Sequence, residues 1–155
     1  MHRGYNKERF IEKVDMIRKI IPDVSLTSDI IVGFPGETEK DFQDTLDVVE
    51  YSKFDLVYMF KFSPRPGTLA YDMKDEFISN DVINDRFLRL KDLQTDISEK
   101  RYKRFLNTEQ KLLIEKTSKK NSEIFTGRID GGQLTHISKD NISVGDIVNV
   151  KIVDT

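Results

Sequence analysis

The hydrophobic positions of the chain alternate between helical and strand spacing. Strand-like runs predict strands over 24–32 and 54–62. Apolar residues at helical spacing predict helices before, between and after them: from just after Asn6, a candidate N-cap, to about Ile21, over 39–52, and from Ser79 or Asn80 to Phe105. The order helix, strand, helix, strand is typical of a βα-repeat barrel or a wound sheet, so we expect an α/β fold.

The pattern changes after Asn107. Short apolar runs of strand character follow, separated by turn sequences rich in glycine, asparagine and aspartate, at 112–114, 124–125, 134–137 and 147–153. Such a series predicts a small all-β module, most simply an OB-like barrel. We therefore expect a domain boundary near Leu106, with residues 1–106 and 107–155 as separate domains.

The most informative segment joins the first predicted strand to the second predicted helix. The β-branched run Ile30-Ile31-Val32 suits a strand that is covered on both faces. A turn over 33–36 follows, and Thr38 with Asp41 forms a capping-box pattern. Such turns lie at the carboxyl ends of strands, where α/β proteins bind ligands. The segment has no dinucleotide fingerprint and no P-loop, so a ligand site and a structural joint remain equally open.

Composition narrows the classes of function. The chain has 155 residues, of which 37% are hydrophobic and 34% charged, and a formal net charge of −2, which does not indicate a nucleic-acid binder. No stretch has the length of a membrane span or a signal peptide's apolar core, so we expect a cytoplasmic protein without a membrane partner. The absence of cysteine excludes cysteine nucleophiles and cysteine-held iron–sulfur clusters within this chain. His2 and His136 have no metal-ligand spacing, so no metal site is predicted.

Two groups of cations are candidates for contact with an anionic partner. Arg65 lies between two prolines after the second predicted strand, where it is either a solvated charge or a fixed cation. In the C-terminal module, Lys119, Lys120 and Arg128 flank Phe125 in sequence. They predict either a phosphate-and-stacking surface or an ordinary solvated hairpin. Because Lys plus Arg equal Asp plus Glu in this module, any basic surface must be a local patch.

Distinctive motifs occur at Met1–Tyr5, Ser28–Thr38, Asp41-Phe42, Phe62–Thr68 and in the helical stretch from Arg86 to Ser98. These stretches closely resemble the radical S-adenosylmethionine (SAM) methylthiotransferases. Within that family they are most similar to the members that methylthiolate N6-isopentenyladenosine next to the tRNA anticodon. The C-terminal module, with Thr126-Gly127-Arg128 at a characteristic place, resembles the TRAM domain, a small β-barrel that binds tRNA.

The resemblance implies a fold, cofactors and contacts. Residues 1–106 would be the C-terminal portion of a radical-SAM core, a partial TIM-like barrel, and residues 107–155 a TRAM domain. The cofactors of the family are SAM and [4Fe-4S] clusters, and the partner is tRNA. The residues implied to contact SAM are Arg3, Asp29, Ile31, Gly33, Lys61 and Phe62, and those implied to face RNA are Arg65, Lys119, Lys120 and Arg128.

The chain differs from the family in the cysteines that bind the iron–sulfur clusters. The radical chemistry requires a Cys-x-x-x-Cys-x-x-Cys site and a second cluster held by three more cysteines, and this chain has no cysteine. We therefore expect no catalytic residue and no catalysis by the chain alone. It would be a fragment or a split-gene half that needs a cysteine-bearing N-terminal half from another chain, with Met1 matching an internal methionine of the family. The alternatives are a tRNA-binding module without catalysis, or a methylthiotransferase for a ribosomal protein or another tRNA adenosine.

Overall fold

The computed structural model describes residues 4–155, which divide into two compact units at Arg101 and Tyr102. The first unit contains two strands and the helices that pack against them, and a 3₁₀ turn over Lys74–Glu76 precedes the last helix. The strands are β1 (Thr27–Val32) and β2 (Leu56–Lys61). The helices are α1 (Lys7–Ile20), α2 (Glu39–Ser52), α3 (Leu69–Asp72) and α4 (Asn80–Tyr102).

The two strands of the first unit form a parallel pair. Their register runs from Thr27 opposite Leu56 to Val32 opposite Lys61. Alternate residues of both strands point to one face, where helices cover an apolar core. The buried members of that core are Val32, Phe42, Val49, Phe54, Val57, Leu90 and Ile97. Parallel strands joined through α2 confirm the predicted order of strands and helices.

No helix among residues 4–101 covers the second face of this strand pair. Ile31 retains 40% exposure, and Tyr58 and Phe60 are about half-exposed on the neighbouring strand. The expectation that residues 30–32 are covered on both faces is therefore wrong for Ile31, because the helices of residues 4–101 cover one face.

The predicted helix caps are present. The Asn6 side chain accepts a hydrogen bond of 3.0 Å from the Arg9 N–H. Thr38 and Asp41 form the reciprocal capping box at the start of α2: the Asp41 N–H donates to the Thr38 hydroxyl, and the Thr38 N–H donates to the Asp41 carboxylate. These caps fix where α1 and α2 begin.

The second unit is an antiparallel sheet with strand order β5-β4-β3-β6. Leu112, Ile114, Phe125 and Ile129 form its core. The sheet curls into a half-barrel that is consistent with the OB-like barrel expected from the sequence, and in the described residues it stays open between β5 and β6. A 3₁₀ turn over Lys103–Phe105 precedes β3 (Glu109–Thr117), β4 (Ile124–Ile129), β5 (Leu134–Ser138) and β6 (Ile147–Lys151).

Gly127 permits the close pairing of β3 and β4. A Cβ atom at this position would overlap the carbonyl oxygen of Leu113 and lie 3.0 Å from Leu112 Cδ1. The pairing register also shifts between Ile114 and Lys116, which is a local irregularity of β3. The glycine of the Thr126-Gly127-Arg128 motif thus has a packing reason that is independent of any ligand.

Candidate functional site

The turn after β1 is held by the side chain of Glu37. Its Oε2 atom accepts hydrogen bonds from the Gly33 N–H at 2.5 Å and from the Phe34 N–H at 3.1 Å. Both amides would otherwise be unpaired donors at the carboxyl end of the strand. The turn is therefore closed by the chain's own carboxylate.

The two glycines of this turn allow close packing. Both have positive φ, +78° at Gly33 and +76° at Gly36. A Cβ atom on Gly33 would lie 2.5 Å from Ile83 Cγ1, and one on Gly36 would lie 2.5 Å from a carboxylate oxygen of Glu76. The space left by the missing Cβ atoms is thus filled by α4 and by the turn before it.

Arg86 on α4 is the main partner of Glu37 outside the turn. Its side chain is buried, and Nη1 donates to the Glu37 carbonyl at 3.0 Å and to Glu37 Oε1 at 3.2 Å. Nε donates to Glu39 Oε2 at 3.2 Å, and the guanidinium lies 5.6 Å from the centroid of the Phe42 ring. Sequence reasoning did not find this contact. The sequence feature that could have indicated it is the position of Arg86 on the buried face of α4, between Ile83 and Leu90.

A second arginine of α4 extends this charge network to the surface. Arg89 Nη1 donates to Glu39 Oε1 at 2.7 Å, and this hydrogen bond holds the pKa of Glu39 below its usual value. The same contact raises the pKa of Arg89. The start of α2 thus carries ionised carboxylates at physiological pH, as the positive end of a helix dipole favours.

The open face of β1 and β2 brings together two residues implied to contact SAM. Asp29 is opposite Tyr58 in the strand register, and Ile31 is opposite Phe60. All four residues are exposed. Tyr58 was not predicted as a site residue, although it lies two positions before Phe60 and therefore shares its face. We call these four residues the open β-face.

Lys61 and Phe62 lie elsewhere at the end of β2. Lys61 Nζ donates to Asn84 Oδ1 at 2.6 Å and lies 4.9 Å from the centroid of the Phe87 ring, so its side chain contacts α4. The Phe62 N–H donates to the Val32 carbonyl at 2.8 Å. The structure thus separates the Lys61 side chain from the open β-face.

Phe62 belongs to an aromatic cluster just beyond the strand ends. Its ring makes edge contacts with Phe34, at a centroid distance of 5.5 Å, and with Phe77, at 5.8 Å. Phe34 is part of the turn that Glu37 holds, so the turn and the end of β2 are packed together. Arg3 lies outside the described residues, and the predicted SAM contacts of Gly33, Lys61 and Phe62 stay predictions.

Arg65 is exposed in a loop that its own backbone organises. Its carbonyl accepts hydrogen bonds from the Thr68 N–H at 3.3 Å and from the Thr68 hydroxyl at 2.8 Å. Thr68 in turn caps α3 through the Tyr71 N–H. The Arg65 guanidinium has no salt bridge within residues 4–155, so it is available to an anion.

The predicted cations of the second unit differ in their surroundings. Lys119 and Lys120 are exposed in the loop between β3 and β4. Arg128 is half-exposed, and its guanidinium already donates to the Gly132 carbonyl at 2.7 Å and lies 3.4 Å from a Glu115 carboxylate oxygen. An RNA phosphate at Arg128 would therefore compete with Glu115.

Phe125 does not form a stacking surface. Its side chain is only 7% exposed because it belongs to the core of the curled sheet. The expectation that it would stack on a base is therefore wrong. Lys139, which sequence reasoning did not single out, has its Nζ 4.8 Å from the centroid of the Phe125 ring and is exposed.

The open side of the half-barrel forms a groove of about 810 Å³ between β5 and β6. Its walls combine apolar residues such as Phe105 and Ile137 with the polar side chains of His136 and Lys151. The Thr126 hydroxyl lies 3.1 Å from His136 Nδ1, which holds that ring in place. The sequence pattern gave no sign of this groove, because it depends on the sheet remaining open.

The described part of the chain offers neither a metal centre built from three acidic or imidazole side chains nor a membrane-spanning helix. No group of three or more His, Asp or Glu side chains among residues 4–155 could hold a metal ion. In the same residues, no helix combines the length and the apolar character needed to cross a bilayer.

Comparison with known proteins gives consistent matches along the chain. The TRAM domain family matches residues 103–155. A tRNA-2-methylthio-N(6)-dimethylallyladenosine synthase of Finegoldia magna is 45% identical over 154 residues, which is 99% of this chain and 33% of the relative. Proteins of the same name from Acetivibrio thermocellus and Corynebacterium jeikeium are 45% and 42% identical, covering 98% and 99% of this chain and 32% and 30% of the relatives.

The chain spans about a third of the length of the curated relatives that it matches. The match extends through both structural units, since it covers nearly every residue. The resemblance seen in the sequence motifs is thereby confirmed. The chain is a homologue of the C-terminal third of the tRNA-2-methylthio-N(6)-dimethylallyladenosine synthases, and its C-terminal unit is a TRAM domain.

Proposed function

We propose that this chain is the C-terminal part of a radical-SAM tRNA methylthiotransferase, in which residues 1–106 contribute one wall of the SAM pocket and residues 107–155 bind tRNA. The observation that carries the proposal is the 45% identity to a named synthase over 99% of the chain. Identity at that level across both units favours the same target over a ribosomal protein or another adenosine. A tRNA target also implies a cytoplasmic location.

The open β-face has a composition that fits SAM. Ile31 and Phe60 offer apolar and aromatic surface to an adenine ring, and Asp29 offers a carboxylate to the ribose hydroxyls or the amino group. Tyr58 adds a hydroxyl beside Asp29. In this proposal the four side chains orient the cofactor and exclude water on one side, while SAM supplies the reactive group.

This chain has no ligands for the [4Fe-4S] clusters of the family. It has no cysteine, and residues 4–155 contain no group of His, Asp and Glu that could hold a metal. Thiolate ligands would therefore have to come from a cysteine-bearing polypeptide. We propose that the chain alone is inactive and that it becomes part of an active enzyme only in contact with that portion.

The TRAM unit is proposed to bind tRNA through exposed lysines. Lys119, Lys120 and Lys139 are exposed cations of this unit, whereas Arg128 is already engaged by Glu115. Contacts with phosphates release counterions, so the affinity should fall steeply as salt rises. This dependence provides a direct test of the RNA-binding half of the proposal.

The test is a titration of tRNA with the 155-residue chain at several salt concentrations. We expect the double variant Lys119→Ala/Lys120→Ala to reduce the slope of log affinity against log salt by about 2. The matched control, Lys40→Ala/Lys100→Ala, removes the same charge from exposed positions of the first unit and should leave the slope unchanged. Equal slopes for both double variants would contradict the proposed surface.

A second candidate function is a tRNA-binding module without catalysis. The lack of cysteine favours it, because the chain itself holds no cluster ligand. The two candidates differ when the cysteine-bearing part of a relative is supplied. Formation of methylthiolated tRNA in that mixture supports the enzyme, and tRNA binding without modification in a folded, cluster-loaded complex supports the module.

A further inference from the structure

Arg86 directs its polar contacts to the turn after β1. The side chain is 4% exposed, and Nη1 is within hydrogen-bond distance of both the Glu37 carbonyl and Glu37 Oε1. Its Nε atom reaches Glu39, and its guanidinium lies over Phe42. A buried guanidinium without partners would be strongly destabilising, so the two contacts with Glu37 determine where the turn lies relative to α4.

Glu37 divides its two carboxylate oxygens between Arg86 and the turn. Oε1 accepts from Arg86 at 3.2 Å, while Oε2 accepts from the Gly33 N–H at 2.5 Å and from the Phe34 N–H at 3.1 Å. These are charge-assisted hydrogen bonds, which are shorter and stronger than neutral ones. One carboxylate thus connects a buried cation of α4 to two backbone amides at the end of β1.

The connection continues to the end of β2. Phe34 follows Gly33 in the turn, and its ring packs edge-on against Phe62 at a centroid distance of 5.5 Å. Phe62 is the residue after the last pair of β2 with β1, and its N–H is bound to Val32. Movement of the turn would therefore move Phe34 and disturb the backbone at the end of β2.

We infer that Arg86 is a positioning residue, which acts through Glu37 to fix the amides of Gly33 and Phe34 and, through Phe34, the place of Phe62. It contacts none of the residues of the open β-face, so its effect on a ligand is indirect. An effect of Arg86 on SAM binding rests on the proposed function. The chain of contacts from Arg86 through Glu37 to the Gly33 and Phe34 amides, which we call the hydrogen-bond relay, is independent of that function.

A positioning role and a general stabilising role differ in which backbone amides they protect from hydrogen exchange. A general stabiliser would change the exchange of amides throughout the unit, whereas the relay predicts a local effect at two amides. Glu39 offers a matched control. Its carboxylate also binds Arg86, yet it accepts no hydrogen bond from Gly33 or Phe34.

The experiment is amide hydrogen exchange by NMR on the full 155-residue chain. In Glu37→Gln, we expect exchange at Gly33 and Phe34 to accelerate by about tenfold or more, since a charged acceptor is lost. Arg86→Lys keeps the charge but loses the planar fork, so we expect a smaller acceleration at the same amides. Glu39→Gln should leave both rates unchanged. These conservative variants avoid the risk that a large truncation at Arg86 prevents folding.

Unchanged exchange at Gly33 and Phe34 in both Glu37→Gln and Arg86→Lys would overturn the inference, as would equal acceleration across the whole unit. A titration with S-adenosylhomocysteine separates this result from the proposed function. Weaker binding by Arg86→Lys than by the wild-type chain supports the link to the ligand. Failure of the wild-type chain to bind would count against the SAM wall, while the exchange rates would still decide the relay.

Discussion

Asp55 Oδ2 lies 3.3 Å from Arg101 Nη2 and also accepts a 3.0 Å hydrogen bond from the Leu26 N–H. Asp55 is 2% exposed, and its own N–H donates to the Leu26 carbonyl at 2.8 Å. Asp55 therefore joins the segment before β1, the start of β2 and the last turns of α4. This arrangement explains why β1 begins at Thr27 and not at the predicted Val24, because Leu26 already bonds to Asp55 through both of its backbone polar groups.

Replacement of Asp55 tests this junction. Asp55→Ala should lower the free energy of unfolding by about 3 kcal/mol, since it leaves a partly buried arginine and a backbone donor without this acceptor. Circular dichroism during urea titration measures the change. The control Asp96→Ala removes an exposed pair with Lys100 and should stay within about 0.5 kcal/mol of wild type. A loss in Asp55→Ala as small as the control's would refute the structural role.

Gly33→Ala tests the close packing of the turn against α4. The new Cβ would lie 2.5 Å from Ile83 Cγ1, and the backbone φ of residue 33 is +78°. Left-handed strain and overpacking together should lower the free energy of unfolding by at least about 2 kcal/mol. Gly67 has a φ of +82°, but a Cβ built there would have no heavy atom within 4 Å, so Gly67→Ala should cost only about 1 kcal/mol. Thermal unfolding of the two variants side by side makes the comparison, and equal losses would exclude the steric contribution of Ile83.

Acid stability should depend on the ion pairs between α1 and α2. The Lys7 ammonium donates hydrogen bonds to Asp44 and Asp47 and holds the pKa of each carboxyl below its usual 3.8. A lowered folded-state pKa gives stability that is present above about pH 4 and is lost as the pH falls through the folded value. The same contacts raise the Lys7 pKa above 10.5, so its contribution is complete at neutral pH and is lost only at alkaline pH.

Melting temperatures between pH 7 and pH 2 measure this contribution. Asp44→Asn/Asp47→Asn should show a smaller fall below pH 4 than the wild-type chain, because it has no carboxylates to protonate at these positions. Lys7→Met should show the same weaker dependence. Parallel curves for all three proteins would show that these pairs do not contribute.

The sequence predicted the long elements because their periods are clear. The apolar residues Ile83, Leu90 and Ile97 recur at helical spacing, and α4 is a helix with these residues buried. The same period could not identify Arg86 or Gln94 as buried, since each depends on a polar partner from a distant segment. Nor did it predict α3 and the 3₁₀ turn at 74–76, which are too short to show a period.

The sequence predicted only those parts of the candidate site that depend on the position of a residue along a strand. The carboxyl end of β1 and the place of Asp29 and Ile31 on one face follow from residue alternation. The closure of the turn by Glu37 could not be read from the sequence, because it requires the backbone to fold back over four residues. Phe125 was misassigned because neighbouring lysines suggested a surface, whereas the curl of the sheet buries it.

We propose above that this chain performs the role of the C-terminal third of a tRNA methylthiotransferase. The most direct measurement replaces the matching third of the Finegoldia magna synthase with residues 1–155 and quantifies methylthiolated adenosine in the tRNA of cells that lack the enzyme. We expect modification by the chimera and none by the 155-residue chain alone. A folded, cluster-loaded chimera that binds tRNA but leaves it unmodified, or modification by the chain alone, would contradict the proposed role.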